Sequence, residues 1–366
     1  MSRLRVAVVG VGHLGKEHAR ILADLPDVEL VGVADVNVEQ SQTVARRLGC
    51  RAFANYRAFL HLADAAVIAV PTTAHHAVAA EFLRCGIPVL VEKPLAATLE
   101  EAESLVELGQ RHRALIQVGH IERFNPALER LQEHALQPKF VQGERLGTFT
   151  GRSTDIGVVL DLMIHDLDVL VALVRSPVRS VDALGVSIFG GCEDVANARL
   201  SFANGCVANL TASRASYAAH RCMQIWGPEG FARLDFAKRH LTFVQPSEQV
   251  RRYGLDPRTL APASRAMLKD ELFGRHLEVL ALDCNPNADQ LTGELKDFVR
   301  CVQEGRQPRV TGEDGRDAMA LATRILKSIE EHQWEGHAAG AIGPSDLPRQ
   351  QAASRPGYLP DYNQIT

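Results

Sequence analysis

A glycine fingerprint close to the amino end restricts the possible folds of this chain more than any other feature. Arg5-Val-Ala-Val-Val-Gly10-Val-Gly12-His13-Leu14-Gly15 passes from an apolar tetrad into a glycine turn, and Asp35 follows Gly15 by 20 residues. Val6 to Val9 reads as a buried parallel strand, because a strand covered on both faces is continuously apolar. Gly10 permits the tight turn out of it, Gly12 lets backbone approach a pyrophosphate, and Gly15 lets the next helix pack close to the sheet. That helix, predicted from about Leu14 to Leu25, offers free N–H groups and its positive dipole end to phosphates. Leu30 to Ala34 reads as a second strand, with Asp35 at its end. A carboxylate there can accept both hydroxyls of an adenosine ribose and repels a 2′-phosphate. Val36 and Asn37 add no cation, so NAD is the expected cofactor rather than NADP. Glycine-rich turns are common; strand, glycines, helix, strand and acid at these offsets together indicate a dinucleotide site.

The alternation of strands and helices continues. Ala65 to Val70 reads as a third strand ended by Pro71, His76 to Cys85 as a helix stopped by Gly86, and Val89 to Val91 as a fourth strand before Glu92-Lys93-Pro94. Thr98 and Glu101 make a capping box for a helix over Leu99 to Arg113, and Leu115 to Val118 is a fifth strand. After about Asn125 the pattern changes. Pro126 to Ala135 is expected as a helix. Phe140 to Thr150, Val181 to Phe189, Ala196 to Phe202, Val207 to Ser213, Met223 to Trp226, Ala232 to Phe236 and Leu241 to Val244 are expected as strands, with turns at Asn204-Gly205 and Gly227-Pro-Glu-Gly230. A helix over about Ile156 to Val174 interrupts them, and helices return at Leu291 to Glu304 and Glu313 to His332. The expected architecture is an α/β Rossmann domain with a doubly wound parallel sheet, plus an α+β domain with a large, mostly antiparallel sheet. The expected division is 1–122 for dinucleotide binding, 123–312 for substrate and oligomerisation, 313–335 for a helix returning to the first domain, and 336–366 for an extended tail.

Composition removes other classes. With 366 residues the chain is long enough for two domains. Lys plus Arg (40) nearly balances Asp plus Glu (44), which leaves no footprint for nucleic acid or an anionic membrane. Seven scattered cysteines, an odd number, argue against a disulfide framework or a zinc site, and no metal is expected. The chain enters a core strand almost at once, and no apolar run approaches the ~20 residues of a membrane helix, so a cytoplasmic location without a signal peptide is expected.

Lys93 lies just past the carboxyl end of the fourth strand, the edge where ligands bind in open α/β sheets. Pro94 restricts its backbone, and a cis bond fits there. Its ammonium can stabilise negative charge on a hydroxyl oxygen as a hydride leaves; the position equally suits a surface lysine paired with Glu92. The apolar helix over Ile156 to Val174 shifts that balance. It carries Asp161, His165 and Asp168 at i, i+4 and i+7. Burying three ionisable groups is costly unless they pair or act. His165 can serve as a general base, Asp161 can orient substrate or imidazole, and Asp168 can brace His165 from behind. A self-satisfied Asp–His–Asp cluster or a metal site are the alternatives. Asp166 points off that face. His75 stands at the mouth of the same crevice, where it lines the nicotinamide region or simply starts a helix. His120, Arg123 and Asn125 sit in the crossing between domains, as substrate contacts or as hinge.

Together these pieces resemble the glucose–fructose oxidoreductase/inositol dehydrogenase (Gfo/Idh/MocA) family. The resemblance rests on Gly10-Val-Gly-His-Leu-Gly15, Asp35, Pro71-Thr-Thr-Ala-His75, Glu92-Lys-Pro94, Asp161-Leu-Met-Ile-His165 and Glu313-Asp-Gly315, and covers about residues 3 to 335. It implies dehydrogenation of a sugar-like carbinol with NAD(P), and an open sheet that often forms a homo-oligomer, a dimer or tetramer. It implies a catalytic Lys93 with Asp161 and His165 as partners. The implied cofactor set is Gly10, Gly12, His13, Leu14, Gly15, Asp35, Pro71, Thr72, His75, Glu92 and Lys93. Val118-Gly-His-Ile-Glu-Arg-Phe-Asn-Pro126 and Asp155-Ile-Gly-Val-Val-Leu-Asp-Leu-Met-Ile-His-Asp166 are most similar to the branch that oxidises nucleotide sugars, the UDP-N-acetylglucosamine 3-dehydrogenases. That branch implies a keto product for an aminotransferase to consume, on a route to lipid A-type glycolipids. The expected substrate contacts are Asp161 and His165, the junction residues His120, Arg123 and Asn125, and the available cations Arg152 and Arg214, with Arg221 as a further cation for a diphosphate. A free polyol such as inositol is the alternative substrate, and a dinucleotide sensor without catalysis the alternative class.

Overall fold

A computed structural model describes residues 3–149, 151, 156–189, 191–284, 288–335 and 341–346. Its first half alternates β1 (Leu4–Val9), α1 (Gly15–Asp24), β2 (Val28–Ala34), α2 (Val38–Leu48), β3 (Arg51–Phe53), β4 (Ala65–Ile68), α3 (Thr72–Arg84), β5 (Val89–Glu92), α4 (Leu99–His112) and β6 (Ile116–Gly119). The six strands form one parallel sheet in the order β3-β2-β1-β4-β5-β6, the doubly wound order that leaves a crevice at the carboxyl ends of its central strands. Alternate residues of β1 serve opposite layers. Val6 and Val8 pack with Leu22, Leu295 and Phe298, whereas Ala7 and Val9 pack with Phe82, Leu83 and Leu105. Each such fully buried large side chain contributes about 1.5–3 kcal/mol.

β3 was not foreseen: three residues with one apolar ring are too short to show a period. The capping box is also altered. Thr98 accepts the Glu101 N–H at 3.3 Å, but the Glu101 carboxylate takes the N–H of Ala97 rather than of Thr98.

The chain then forms α5 (Pro126–Leu131), β7 (Phe140–Leu146), α6 (Ile164–Val174), β8 (Val178–Ser187), β9 (Val195–Phe202), β10 (Val207–Ser213), β11 (His220–Gly227), β12 (Gly230–Asp235), β13 (His240–Pro246), α7 (Glu248–Tyr253), α8 (Pro262–Glu271), β14 (Leu277–Asp283), α9 (Gln290–Glu304), α10 (Gly312–Glu330) and β15 (Ser345–Asp346). The nine strands make a second sheet, β14-β13-β12-β11-β7-β10-β9-β8-β15. It is antiparallel except where β7 meets β10 and β15 meets β8. Its inner face (Val141, Leu200, Leu210, Met223, Ile225) packs on Leu167 and Leu170 of α6 and on Leu321 and Ile325 of α10. Its other face is polar, with Asn197 bonded to Thr211 and Arg199 to Asn209, the two-sided pattern of an antiparallel sheet covered once. The expected helix over Pro126 to Ala135 ends at Leu131, and the strand from Phe140 ends at Leu146; Thr150 lies outside the described residues. Among the described residues no helix is long and apolar enough to cross a membrane.

Several contacts tie the two sheets. α10 lies against α4 on one side and against α6 and β8 on the other. Gln117 of β6 donates to the Glu294 carbonyl at 3.0 Å. A buried arginine carries the largest load. Arg145 of β7 donates twice to Asp166 of α6, at 2.9 and 2.8 Å, and once to Glu122 at 2.9 Å. All three side chains are nearly inaccessible. Removing one member of such a cluster strands the others without solvent or partner. Arg145→Ala should therefore destabilise the chain by about 3–5 kcal/mol, read as a lower urea midpoint. A loss below about 1 kcal/mol, the level of a surface pair, would show that the cluster is not what holds α6 to the second sheet.

Candidate active site

The glycine turn is shaped by close approach. Gly10 has φ +85°, and a Cβ on Gly15 would lie 1.9 Å from the Gly10 carbonyl oxygen, so α1 can start here only on glycine. A Cβ on Gly12 would meet nothing within 4 Å, leaving room for a ligand. Leu14 begins α1 with no side-chain cap, and His13 and Leu14 are exposed beside it. Uncapped N–H groups at a helix start suit a pyrophosphate. Asp35 accepts the Val11 N–H through Oδ2 and the Asn37 N–H through Oδ1, both at 2.8 Å. A carboxylate has about four acceptor sites, so both oxygens retain capacity for ribose hydroxyls. These residues fit NAD.

Pro71 opens α3 with Thr72 beside it. His75, one turn further, is buried, its ring nitrogens 2.8 Å from the Pro94 carbonyl and 2.9 Å from the Val70 carbonyl. It braces the loop that carries Lys93 instead of lining an open nicotinamide face. Burial depresses its basicity. The Lys93–Pro94 peptide is cis. Glu92 turns inward: Oε1 is 2.6 Å from His18 Nε2, and Oε2 accepts the Lys93 N–H at 3.3 Å.

Lys93 reaches across to the second sheet's helix. Its Nζ donates to the Asp161 carbonyl at 2.7 Å and lies 3.1 Å from Asp161 Oδ1. Asp161 belongs to a π-helical turn, Val159–Met163, that precedes α6. Such wide turns recur at functional sites. His165 follows, and its buried Nδ1 has no partner among the described residues. Burial first, then Lys93, Arg145, His120 and Arg221, holds its pKa well below the ordinary histidine value. It is a neutral imidazole, able to accept a proton. His120 meets its ring edge to face at 6.3 Å between centroids. His120 is inaccessible, and burial with Lys93 and Arg123 nearby lowers its pKa to about 3. Lys93, Asp161, His165 and His120 thus converge from three segments, a set that can polarise a hydroxyl and take its proton.

Other expected contacts are used elsewhere. Asp168 does not brace His165; it pairs with Arg123 at 3.1 Å, although both residues lie in α6. Burial raises the Asp168 carboxyl to about 7. Arg123 is thereby committed, and also donates to the Arg309 carbonyl. It also lines a cavity with Leu128, Leu131 and Val169. Asn125 is fully buried and caps α5, donating to Glu122 and to the Phe236 carbonyl. Arg214 pairs with Asp194 at 2.6 Å and donates to the Ile156 carbonyl at 2.8 Å, so it shapes the loop before Asp161 rather than facing a ligand. Arg152 lies outside the described residues. Arg221 is exposed on β11 and close enough to act on His165. Two residues of the region escaped sequence reasoning. His18 is hidden within α1, and Glu294 sits on the apolar stripe of α9 between Leu291, Leu295 and Phe298. A carboxylate in an apolar phase was the available signal.

Known structures share this fold. Levoglucosan dehydrogenase in complex with NADH superposes with a TM-score of 0.76 at 19% identity, over 89% of this chain and 97% of that one. With Asp35 placed beside the glycine turn, Asp35→Asn should raise the KM for NAD about tenfold, from the loss of charged hydrogen bonds of about 1.5–3 kcal/mol, and should narrow the preference over NADP. An unchanged ratio of kcat/KM for the two cofactors would show that the carboxylate does not face the ribose. UDP-N-acetylglucosamine 3-dehydrogenase of Acidithiobacillus ferrooxidans is 34% identical over 331 residues, 90% of this chain and 98% of that one, and its solved structure superposes with a TM-score of 0.78 at 33% identity over the same shares. Inositol 2-dehydrogenase of Rhizobium meliloti is 24% identical over 347 residues, 90% of this chain and 97% of that one. The model of the oxidoreductase family with an NAD-binding Rossmann fold matches residues 4–120, and that of the GFO/IDH/MocA C-terminal domain matches 131–233; the chain belongs to this family of NAD-dependent dehydrogenases acting on hydroxyl groups.

Proposed function

We propose that the chain oxidises a secondary hydroxyl of a nucleotide sugar, and that the substrate is UDP-N-acetylglucosamine, taken to its 3-keto derivative. The observation that carries the chemistry is the Lys93 ammonium held at Asp161, 3.1 Å from its Oδ1, with the neutral His165 near enough to feel its charge. The substrate class is supported by the 34% identity over 90% of the chain, against 24% for the inositol enzyme. Exposed Arg221 offers a cation to the diphosphate, as arginine suits phosphate oxygens. The free polyol is the second reading, favoured by the inositol relatives alone.

In this reading Lys93 donates a hydrogen bond to the reacting hydroxyl oxygen and stabilises the charge that develops there. His165 accepts the hydroxyl proton as the O–H bond breaks. Asp161 fixes the Lys93 ammonium. NAD, when bound, supplies the acceptor for the hydride leaving the carbon. The keto product suits a downstream aminotransferase that installs an amino group, and the polar open face of the second sheet suits a homo-oligomer.

NADH formation with NAD and UDP-N-acetylglucosamine, with an aminotransferase and amino donor removing the ketone, tests the substrate; turnover of inositol alone would move the assignment to free polyols. Lys93→Ala and His165→Ala should each lower kcat by about 10²–10⁴-fold. His165 acts in its neutral form and its pKa is depressed, so activity should fall only as pH drops below the ordinary histidine value of about 6.5. That acid limb should vanish in His165→Ala. Near-wild-type kcat in either variant would overturn the assigned roles.

A further inference from the structure

A buried trio beneath the Lys93 loop has no place in the chemistry above. His18 of α1, Glu92 of β5 and Glu294 of α9 bring an imidazole nitrogen and two carboxylate oxygens within 4.8 Å of one another. His18 and Glu294 are wholly inaccessible and Glu92 nearly so. The Glu92 carboxylate is divided: one oxygen meets His18, and the other accepts the Lys93 N–H. It therefore joins the helix of the glycine turn to the residue that presents the ammonium. Glu294 stands against this bridge with neither carboxyl oxygen partnered among the described residues. Gly119 borders the other side, where a Cβ would lie 3.0 Å from Glu92 Oε2, so a larger residue there would press on the carboxylate.

An ionised Glu294 would place two like charges together in a dry pocket, a costly arrangement. One proton relieves it. A neutral carboxyl group removes the like charge and, being both donor and acceptor, can stand within 4.8 Å of the Glu92 carboxylate. The groups around the trio agree. Burial opposes ionisation of Glu92, but the hydrogen bond with His18 and the neighbouring Lys93 and His75 outweigh it and hold its pKa below the ordinary glutamate value. Glu294 faces Glu92 and Asp297, which disfavour ionisation.

We propose that Glu294 is a positioning residue of the active site: as a neutral acid it closes, with His18 and Glu92, a buried lock that holds Lys93 in register with the dinucleotide-binding helix. This rests on the assignment of Lys93 under the proposed function. It also places α9, which returns from the second sheet, in control of an ammonium on the first.

The test compares Glu294→Gln with Glu294→Ala in the full chain. Glutamine preserves the shape and polarity of a neutral acid. Glu294→Gln should keep kcat within about threefold, whereas Glu294→Ala should lower kcat by about 10–100-fold through misplacement of Lys93, with the KM for NAD nearly unchanged. Infrared difference spectra of wild type against Glu294→Gln should show the loss of a protonated-carboxyl band, a readout independent of turnover. Equal losses in the two variants, absence of that band, or a stoichiometric divalent cation in the wild type that Glu294→Gln abolishes would each overturn the neutral acid. Glu294→Ala with full kcat would overturn the lock. Full activity of Lys93→Ala would refute the Lys93 assignment, and the positioning role with it, while leaving the infrared band in place.

Discussion

One contact, Lys93 to Asp161, brings the two sheets to a common point. The ammonium leaves the carboxyl edge of the parallel sheet and is received by the helical turn of the other unit. Both side chains keep some access to solvent, 16% and 21%, so the pair contributes about 0–1 kcal/mol to stability. Its importance is geometric. Lys93 can face a substrate hydroxyl beside His165 only while both sheets keep their relation, and that relation is maintained elsewhere. α10 bridges α4 and α6, Asn125 reaches the Phe236 carbonyl, and Gln117 holds the backbone of Glu294. The site is precise because these supports lie outside it.

Charge is distributed by the same logic. The deeply buried arginines are neutralised: Arg145 by Asp166 and Glu122, and Arg214 by Asp194. The buried histidines nearest Lys93 are driven neutral by desolvation and by the cations around them. A neutral imidazole beside an ammonium is the useful combination for removing a proton from an alcohol, since one group stabilises the alkoxide and the other accepts the proton. Two protonated groups there would repel one another and leave no base.

Much of this was legible before any coordinates. The glycine turn and Asp35 carried the cofactor, because each glycine answers a steric demand that other residues cannot meet. Lys93, Asp161 and His165 stood out as ionisable groups at an edge or within an apolar helix, where burial must be compensated. The arginines and the junction residues were not legible. Arg123, Asn125 and Arg214 have the right chemistry for a substrate, yet the structure directs them to Asp168, Glu122 and Asp194. A side chain's partner depends on what the packed neighbours bring to it: Asp168 and His165 share α6, yet Asp168 meets Arg123 from another segment.

The sequence by itself determined the local events: where β1 ends in a turn only glycine can make, which strands are buried on both faces, and which carboxylate stands beside that turn. These depend on sterics and periodicity within a few residues. Tertiary structure alone decided which ionisable groups meet. His18, Glu92 and Glu294 are separated by 74 and 202 positions, and Arg145 is joined to groups on two other segments. Such encounters require the packed layers to exist first, because the cost of leaving a buried charge unpaired is set by what the surrounding elements exclude.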